Sequence, residues 1–298
     1  MNSNEDQVIK YYSKDTHKEF YKKLWGGDCM HVGIYDCYQL RSNISTPVIE
    51  EEMSPDIIKN GTIRKMELLY KIILTYANIN PEIINTIKIA DFGSGFGGTA
   101  RYLMKTLGSH LKNNPKSKLT IDCYDLSIDN CNENFRKNIE SNMNIGVYNT
   151  SFCETGSRKD EYNLIISEDA FIHVDDKTPI FKEASRILYK GFFIFSDIFL
   201  TDNHGDDIQE VYDRIGITKM ETFSSYKQLV ENAGFKFCNF IPYKNDMLKH
   251  YTYLENLVQQ QDDKDEKILN GIRNWIKHIK NDNITTGIFV FKKNEFEF

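Results

Sequence analysis

The sequence predicts an α/β fold, a largely parallel sheet with helices on both faces. Three features predict it. Between residues 88 and 195, short apolar and β-branched runs alternate with helical patterns, as βαβ units of a parallel sheet require. A run of small residues, "FGSGFGGT", joins the first of these strands to the first of these helices. Past residue 220, two strand-like runs bracket two helical patterns, giving an antiparallel edge and a helical insertion before the last strand.

Taken in order, Val8 to Trp25 reads as a helix rich in aromatics: Tyr11, Tyr12, Phe20, Tyr21 and Trp25. "GGDCMHVGIYD" follows as a glycine-broken loop. Ser54 to Ala77 reads as one or two helices with Leu68, Leu69, Ile72 and Leu74 on their apolar faces. Lys88 to Phe92 is the first sheet strand and Gly97 to Leu107 its helix; Lys118 to Tyr124 and Ile128 to Glu140 form the next pair. Ile145 to Thr150 is a weaker strand, and Tyr162 to Ser167 a buried one. Thr178 to Leu188 is a helix, and Phe192 to Phe195 the fifth strand. An irregular stretch runs to Met220. "SSYKQLVENAGF" is a helix closed by Gly234, and "KFCNFIPY" a strand. Met247 to Gln261 and Lys264 to Ile279 are helices, and "TTGIFVFKK" is the closing strand. No Pro- or Ser-rich linker divides the chain. Residues 1–78 are therefore expected to form a helical lid on one domain of residues 79–298, with inserted helices across 244–282.

The chain has 298 residues, 40% of them hydrophobic and 27% charged, enough for one large core. A net charge of -6 speaks against a nucleic-acid partner, whose phosphates need a basic face. The densest basic cluster, Lys112 to Lys118, reads as a solvated loop. The N-terminal "MNSNEDQVIK" lacks the apolar core of a secretory signal. The longest apolar stretch, Gly191 to Leu200, is broken by Ser196 and Asp197 and is too short to cross a bilayer. Cysteines at 29, 37, 123, 131, 153 and 238 form no C-x-x-C pair, so no metal is expected. A reduced, cytoplasmic protein is expected, a monomer or homodimer without a membrane partner.

Gly93, Gly95, Gly97 and Gly98 lie between a strand and a helix, where backbone can approach a ligand. Two cofactors compete for that cradle. A dinucleotide needs the helix N-terminus for its pyrophosphate and an acid near 20 residues on. S-adenosylmethionine has no phosphate, and its ammonium suits an acid just ahead of the glycines. Asp91 stands two residues before Gly93, and Asp125, 30 residues past Gly95, can grip ribose hydroxyls. These spacings favour S-adenosylmethionine. Phe152 and Cys153 follow the third strand, where apolar contact and backbone N–H groups would serve an adenine.

The chain also resembles a known group. "WGGDCMHVGIYD", "DFGSGFGGTARYL", "SEDAFIHVDDK", "FKEASRIL", "YDRIG", "KHYTYLENL", "NWIKHI" and "TTGIFVF" are similar to the sarcosine/dimethylglycine N-methyltransferases, a branch of the class I methyltransferases. The resemblance runs almost end to end. It implies the class I methyltransferase Rossmann-like sheet and N-methylation of glycine derivatives toward betaine. It assigns cofactor contacts to Gly93, Gly95, Asp125, Leu126 and Phe152, and turns Glu168, Asp169 and Ala170 toward the sulfonium. The chain departs from the group at Glu168, where Gln is usual, at Tyr189 to Phe192 in place of a "KPGG"-like turn, and at Asp197-Ile198 in place of "DP". Those departures lie on the acceptor side and leave room for O- or C-methylation of a phenolic or lipid-like acceptor.

Methyl transfer from a sulfonium needs positioning and exclusion of water, and a neutral amine. His31, His173 and Asp169 are the candidates for handling the amine and its proton. Arg214 is the candidate anchor for a small-molecule amine substrate's carboxylate. Tyr12, Tyr21 and Trp25 are the candidate aromatic faces for a quaternary nitrogen.

Overall fold

The computed structural model describes residues 9, 23–25, 28–39, 44–47, 56–77, 79, 86–205, 208–262 and 265–294. Most of the aromatic N-terminal helix, including Tyr11, Tyr12, Phe20 and Tyr21, lies outside them.

Seven strands form one sheet in the order β5-β4-β3-β6-β7-β9-β8. They are β3 (Thr86–Phe92), β4 (Lys118–Asp125), β5 (Gly146–Asn149), β6 (Tyr162–Glu168), β7 (Leu188–Leu200), β8 (Phe235–Pro242) and β9 (Ile284–Lys293). β3 pairs in parallel with β4 and β6, while β9 runs antiparallel to β7 and β8. The chain builds outward from β3 to β5 and then crosses back to lay β6 on β3's other side. That reversal opens a crevice at the carboxyl ends of β3, β4 and β6, the position where open α/β sheets bind ligands.

Helices α1 (Ile57–Tyr76), α2 (Gly98–His110), α3 (Ile128–Glu140), α4 (Thr178–Ile187), α5 (Gln209–Ile215), α6 (Phe223–Asn232), α7 (Lys244–Gln259) and α8 (Glu266–Lys280) cover the sheet. Alternation along β7 sorts the core into two halves. Phe193, Phe195 and Phe199 join an aromatic cluster with Phe181, Tyr226, Phe289 and Phe291. Ile194, Ile198 and Leu200 join the other half, with Leu69, Ile72 and Ile73 of α1. Ser127, Thr222 and Asp265 cap α3, α6 and α8 through their side chains.

Three elements differ from the sequence expectation. β7 is 13 residues long, because the polar Ser196 and Asp197 that interrupt its apolar run find buried partners. Asp197 accepts from the Ile172 amide and the Tyr226 hydroxyl. The stretch before Met220 contains α5. A two-stranded hairpin, β1 (Asp36–Gln39) with β2 (Ile44–Pro47), precedes α1. Among the described residues, no helix is long and apolar enough to cross a membrane.

Candidate active site

The glycine loop turns on left-handed backbone. Gly93 and Gly95 have φ of 71° and 53°, a region that costs residues with a Cβ roughly 1–2 kcal/mol. A Cβ at Gly93 would overlap that of Ala170, and one at Gly95 the Met30 side chain. The Gly95 amide donates to Asp125 Oδ2 at 2.8 Å. Asp125 Oδ1 accepts from the Ser127 amide at 2.8 Å and Asn130 Nδ2 at 3.3 Å. Those donors occupy three of a carboxylate's roughly four lone-pair positions, leaving one for a ligand hydroxyl.

Asp91 sits beside this loop, 3% exposed. Its Oδ2 has no hydrogen-bond partner among the described residues. Burial raises its pKa well above the carboxylate range, and the Glu168 and Asp125 carboxylates push the same way. Phe152 stacks on Phe92 with centroids 5.8 Å apart, and the Cys153 amide donates to Ser151 Oγ at 3.2 Å. Leu126 is half-buried, and its carbonyl accepts from Asn149.

A second cluster forms at the end of β6. Asp169 adopts φ 54°, and its side chain collects four donors. These are Ser196 Oγ at 2.6 Å, the Val32 amide at 2.8 Å, Lys65 Nζ at 2.9 Å and the Tyr243 hydroxyl at 3.4 Å. They come from β7, the N-terminal segment, α1 and the β8–α7 junction. With its lone pairs committed, Asp169 clasps the covering segments onto the sheet rather than presenting a free oxygen to an amine. Burial pushes the Lys65 pKa down, but Asp169, Tyr243 and Glu168 reverse that and raise it. Burial likewise pushes Asp169 up, and Lys65, His31 and Ser196 together more than offset it.

Glu168 accepts from the Thr99 hydroxyl of α2. Its Oε2 lies 3.4 Å from His31 Nε2, and its Oε1 3.9 Å from Lys65 Nζ. His31 is 4% exposed. The Val32 carbonyl lies 3.2 Å from its Nδ1. A carbonyl only accepts, so the proton belongs on Nδ1 and Nε2 carries the lone pair. Burial lowers the His31 pKa against the opposing pull of Glu168. A neutral imidazole with a lone pair beside a carboxylate can accept a proton and hold the resulting cation.

The other candidates divide. Trp25 is 5% exposed, donates from Nε1 to the His31 carbonyl at 2.7 Å, and stands edge-on to His250 at 4.6 Å. It therefore walls this cluster, while Tyr12 and Tyr21 lie outside the described residues. His173 ends a short 3-10 turn after β6, next to Lys177, which together with burial pushes its pKa to about 4. Arg214 is not brought to the cluster, for its guanidinium packs over Gly271 of α8.

Sequence reasoning missed Lys65 and His250. Lys65 is fully buried on the stripe of α1 that carries Ile58, Leu69 and Ile72, and the signal was a lysine at an apolar-face position. His250 is also fully buried, in the α7 stripe with Met247 and Leu254.

These residues fit S-adenosylmethionine. An orphaned buried Asp91 oxygen matches an ammonium, and Asp125 keeps an acceptor position for a hydroxyl. A dinucleotide fits less well. The first amide of α2, Gly98 N, donates to the Asp28 carbonyl at 3.1 Å, so the chain itself fills the place a pyrophosphate needs. The sheet has the class I methyltransferase fold, and the chain is an S-adenosylmethionine-dependent methyltransferase. Residues 90–195 match the family model described as "Methyltransferase domain".

The relatives are more particular. The chain is 27% identical to the sarcosine/dimethylglycine N-methyltransferase of Aphanothece halophytica, covering 96% of each. It is 26% identical to the enzyme of the same name from Halorhodospira halochloris, covering 97% of this chain and 98% of that one. A solved structure from Galdieria sulphuraria, provisionally described as a sarcosine dimethylglycine methyltransferase, shares the fold with a TM-score of 0.76. It has 24% identity over 94% of this chain and 99% of that one. Haemonchus contortus phosphoethanolamine N-methyltransferase 2, solved with S-adenosylhomocysteine, has the same fold, with a TM-score of 0.74 at 13% identity. That match covers 99% of this chain and 61% of that one.

Proposed function

We propose that the chain methylates the nitrogen of sarcosine or dimethylglycine, toward betaine. The observation that carries this reading is the end-to-end similarity to enzymes named for that reaction. The site's chemistry agrees with it. Asp91 receives the cofactor's ammonium and Asp125 its ribose, with Gly93, Gly95, Leu126, Phe152 and Cys153 lining the remainder. Bound S-adenosylmethionine supplies an activated methyl group, so the protein's task is to position an uncharged amine and keep out water. His31 Nε2 takes the proton of the acceptor's ammonium, and Glu168 stabilises the imidazolium that results. Trp25 offers an aromatic face to the quaternary nitrogen, worth about 0.5–2 kcal/mol.

Residues 1–78 act as the cover and residues 79–298 as the catalytic domain, working in the cytoplasm as a monomer or homodimer. The test supplies methyl-labelled cofactor with sarcosine, dimethylglycine, phenols and fatty acids. Label should appear in betaine. Label in a phenol or lipid, with none in betaine, replaces this reading by O- or C-methylation. His31→Gln should lower kcat by about 10²–10⁴ at neutral pH. Part of that loss should return at alkaline pH, where the free amine is already available.

A further inference from the structure

We propose that Lys65 and His250 form the carboxylate-holding arm of the acceptor site, so that this enzyme selects zwitterionic amino acids over amines lacking a carboxylate. The proposal rests on the N-methylation reading above and supplies the anchor that Arg214, packed over Gly271, does not.

The argument begins with His250. Its Nδ1 lies 3.1 Å from the Gly33 amide, which donates, and 2.8 Å from the Tyr35 hydroxyl. An amide cannot accept, so Nδ1 carries the lone pair and the ring proton sits on Nε2. That Nε2 is buried and has no hydrogen-bond partner among the described residues. A buried donor left unmade carries its full desolvation penalty, so a fully buried histidine held this way points to a ligand acceptor. The ring's surroundings are the cluster itself. The charges of Asp169, Lys65 and His31 all act on it, and burial pushes its pKa down to about 3. It is thus a neutral, fixed donor at working pH.

Lys65 is the complementary group. Its ammonium has three donors, and Asp169 takes one at 2.9 Å. Glu168 at 3.9 Å lies beyond hydrogen-bond range. Three successive residues set the arrangement. His31 places its ring beside Glu168, the Val32 amide binds Asp169, and the Gly33 amide binds His250.

The two histidines therefore hold opposite tautomers in one cluster. His31 Nε2 accepts and His250 Nε2 donates. An amino acid presents the matching pair, an ammonium to be deprotonated and a carboxylate to be held. Charge agrees as well. Lys65 faces two carboxylates, and a zwitterion adds no net charge to that balance, whereas a simple acid would.

The test compares dimethylglycine with N,N-dimethylethanolamine, in which a hydroxymethyl group replaces the carboxylate. It uses wild type, His250→Phe, His250→Gln and Lys65→Met, each checked for cofactor binding and thermal unfolding. His250→Phe should raise KM for dimethylglycine about 10–100-fold, as loss of a hydrogen bond to a charged group implies, with kcat changed less. His250→Gln, which keeps an N–H, should recover part of it. Preference over dimethylethanolamine should fall by the same factor. Equal losses on both acceptors, or no rescue by Gln, would overturn the proposal. Betaine binding to the protein saturated with S-adenosylhomocysteine, measured by calorimetry, needs no turnover and separates the two readings. If wild type binds betaine and His250→Phe does not, the arm stands even where dimethylglycine is not methylated. If both bind it equally while dimethylglycine is methylated, the arm is wrong and the function stands. If wild type binds no betaine, the arm falls.

Discussion

Lys65 Nζ and Asp169 Oδ2 lie 2.9 Å apart with side chains 0% and 5% exposed, an ion pair sealed inside the protein. Such a pair commits the fold, because either member left alone is an uncompensated buried charge. Lys65→Met and Asp169→Asn are each expected to destabilise the protein by about 3–5 kcal/mol, and the double variant by less than the sum. Denaturant unfolding of the three variants checks this, and strict additivity would show that the pair is not coupled.

Asp91 predicts proton release on cofactor binding. Burial, Glu168 and Asp125 raise its pKa in the free protein. An ammonium placed against it favours the ionised form and lowers that pKa again. Binding at a pH below the free-protein pKa must therefore expel a proton, and affinity must rise with pH until Asp91 is ionised. Calorimetry in buffers of different ionisation enthalpy measures the release directly, and Asp91→Asn should abolish it.

Asp125→Ala removes the acceptor of the Gly95 and Ser127 amides as well as the position left for a hydroxyl. Cofactor affinity should fall about 10–100-fold, as the loss of a charge-assisted hydrogen bond implies. The KM of dimethylglycine at saturating cofactor should move much less.

Two glycines should respond oppositely to alanine. Gly93→Ala meets both a φ of 71° and overlap with Ala170, so it should cost more than the roughly 1–2 kcal/mol of left-handed strain alone. Gly108 lies inside α2 with open space where its Cβ would be. Gly108→Ala should stabilise by about 0.5–1 kcal/mol. Urea midpoints of the two variants test the contrast.

His250 links stability to acid. Its folded pKa of about 3 lies below the unfolded value, which is about 6.5. Between those values the unfolded chain binds the extra proton, so stability falls as pH drops below about 6.5, by about 1.4 kcal/mol for each pH unit. His250→Phe should flatten that part of the profile between pH 6 and pH 4.

Much of the scaffold follows from local chemistry. Strand and helix periods, the glycine turn at Gly93 and the acids Asp91 and Asp125 depend on neighbours a few residues away, and they lie where the sequence places them. The sequence shortens β7, because Ser196 and Asp197 look like a break until Asp169 and Tyr226 satisfy them. The chemical half of the site is another matter. Val32, Lys65, Ser196 and Tyr243 meet Asp169 from four separate segments, and sequence separations of 137 and 104 residues lie between it and the first two. No periodicity encodes that meeting. A lysine on an apolar stripe reads as a misfit, and a histidine in a helix as packing, until the sheet's reversal at β3 and β6 brings their partners within hydrogen-bond range. The glycine turn is legible in one short run because it is made of backbone. The cluster around Asp169 is decided only in three dimensions, because a buried charge is tolerable only where its distant counter-charge arrives.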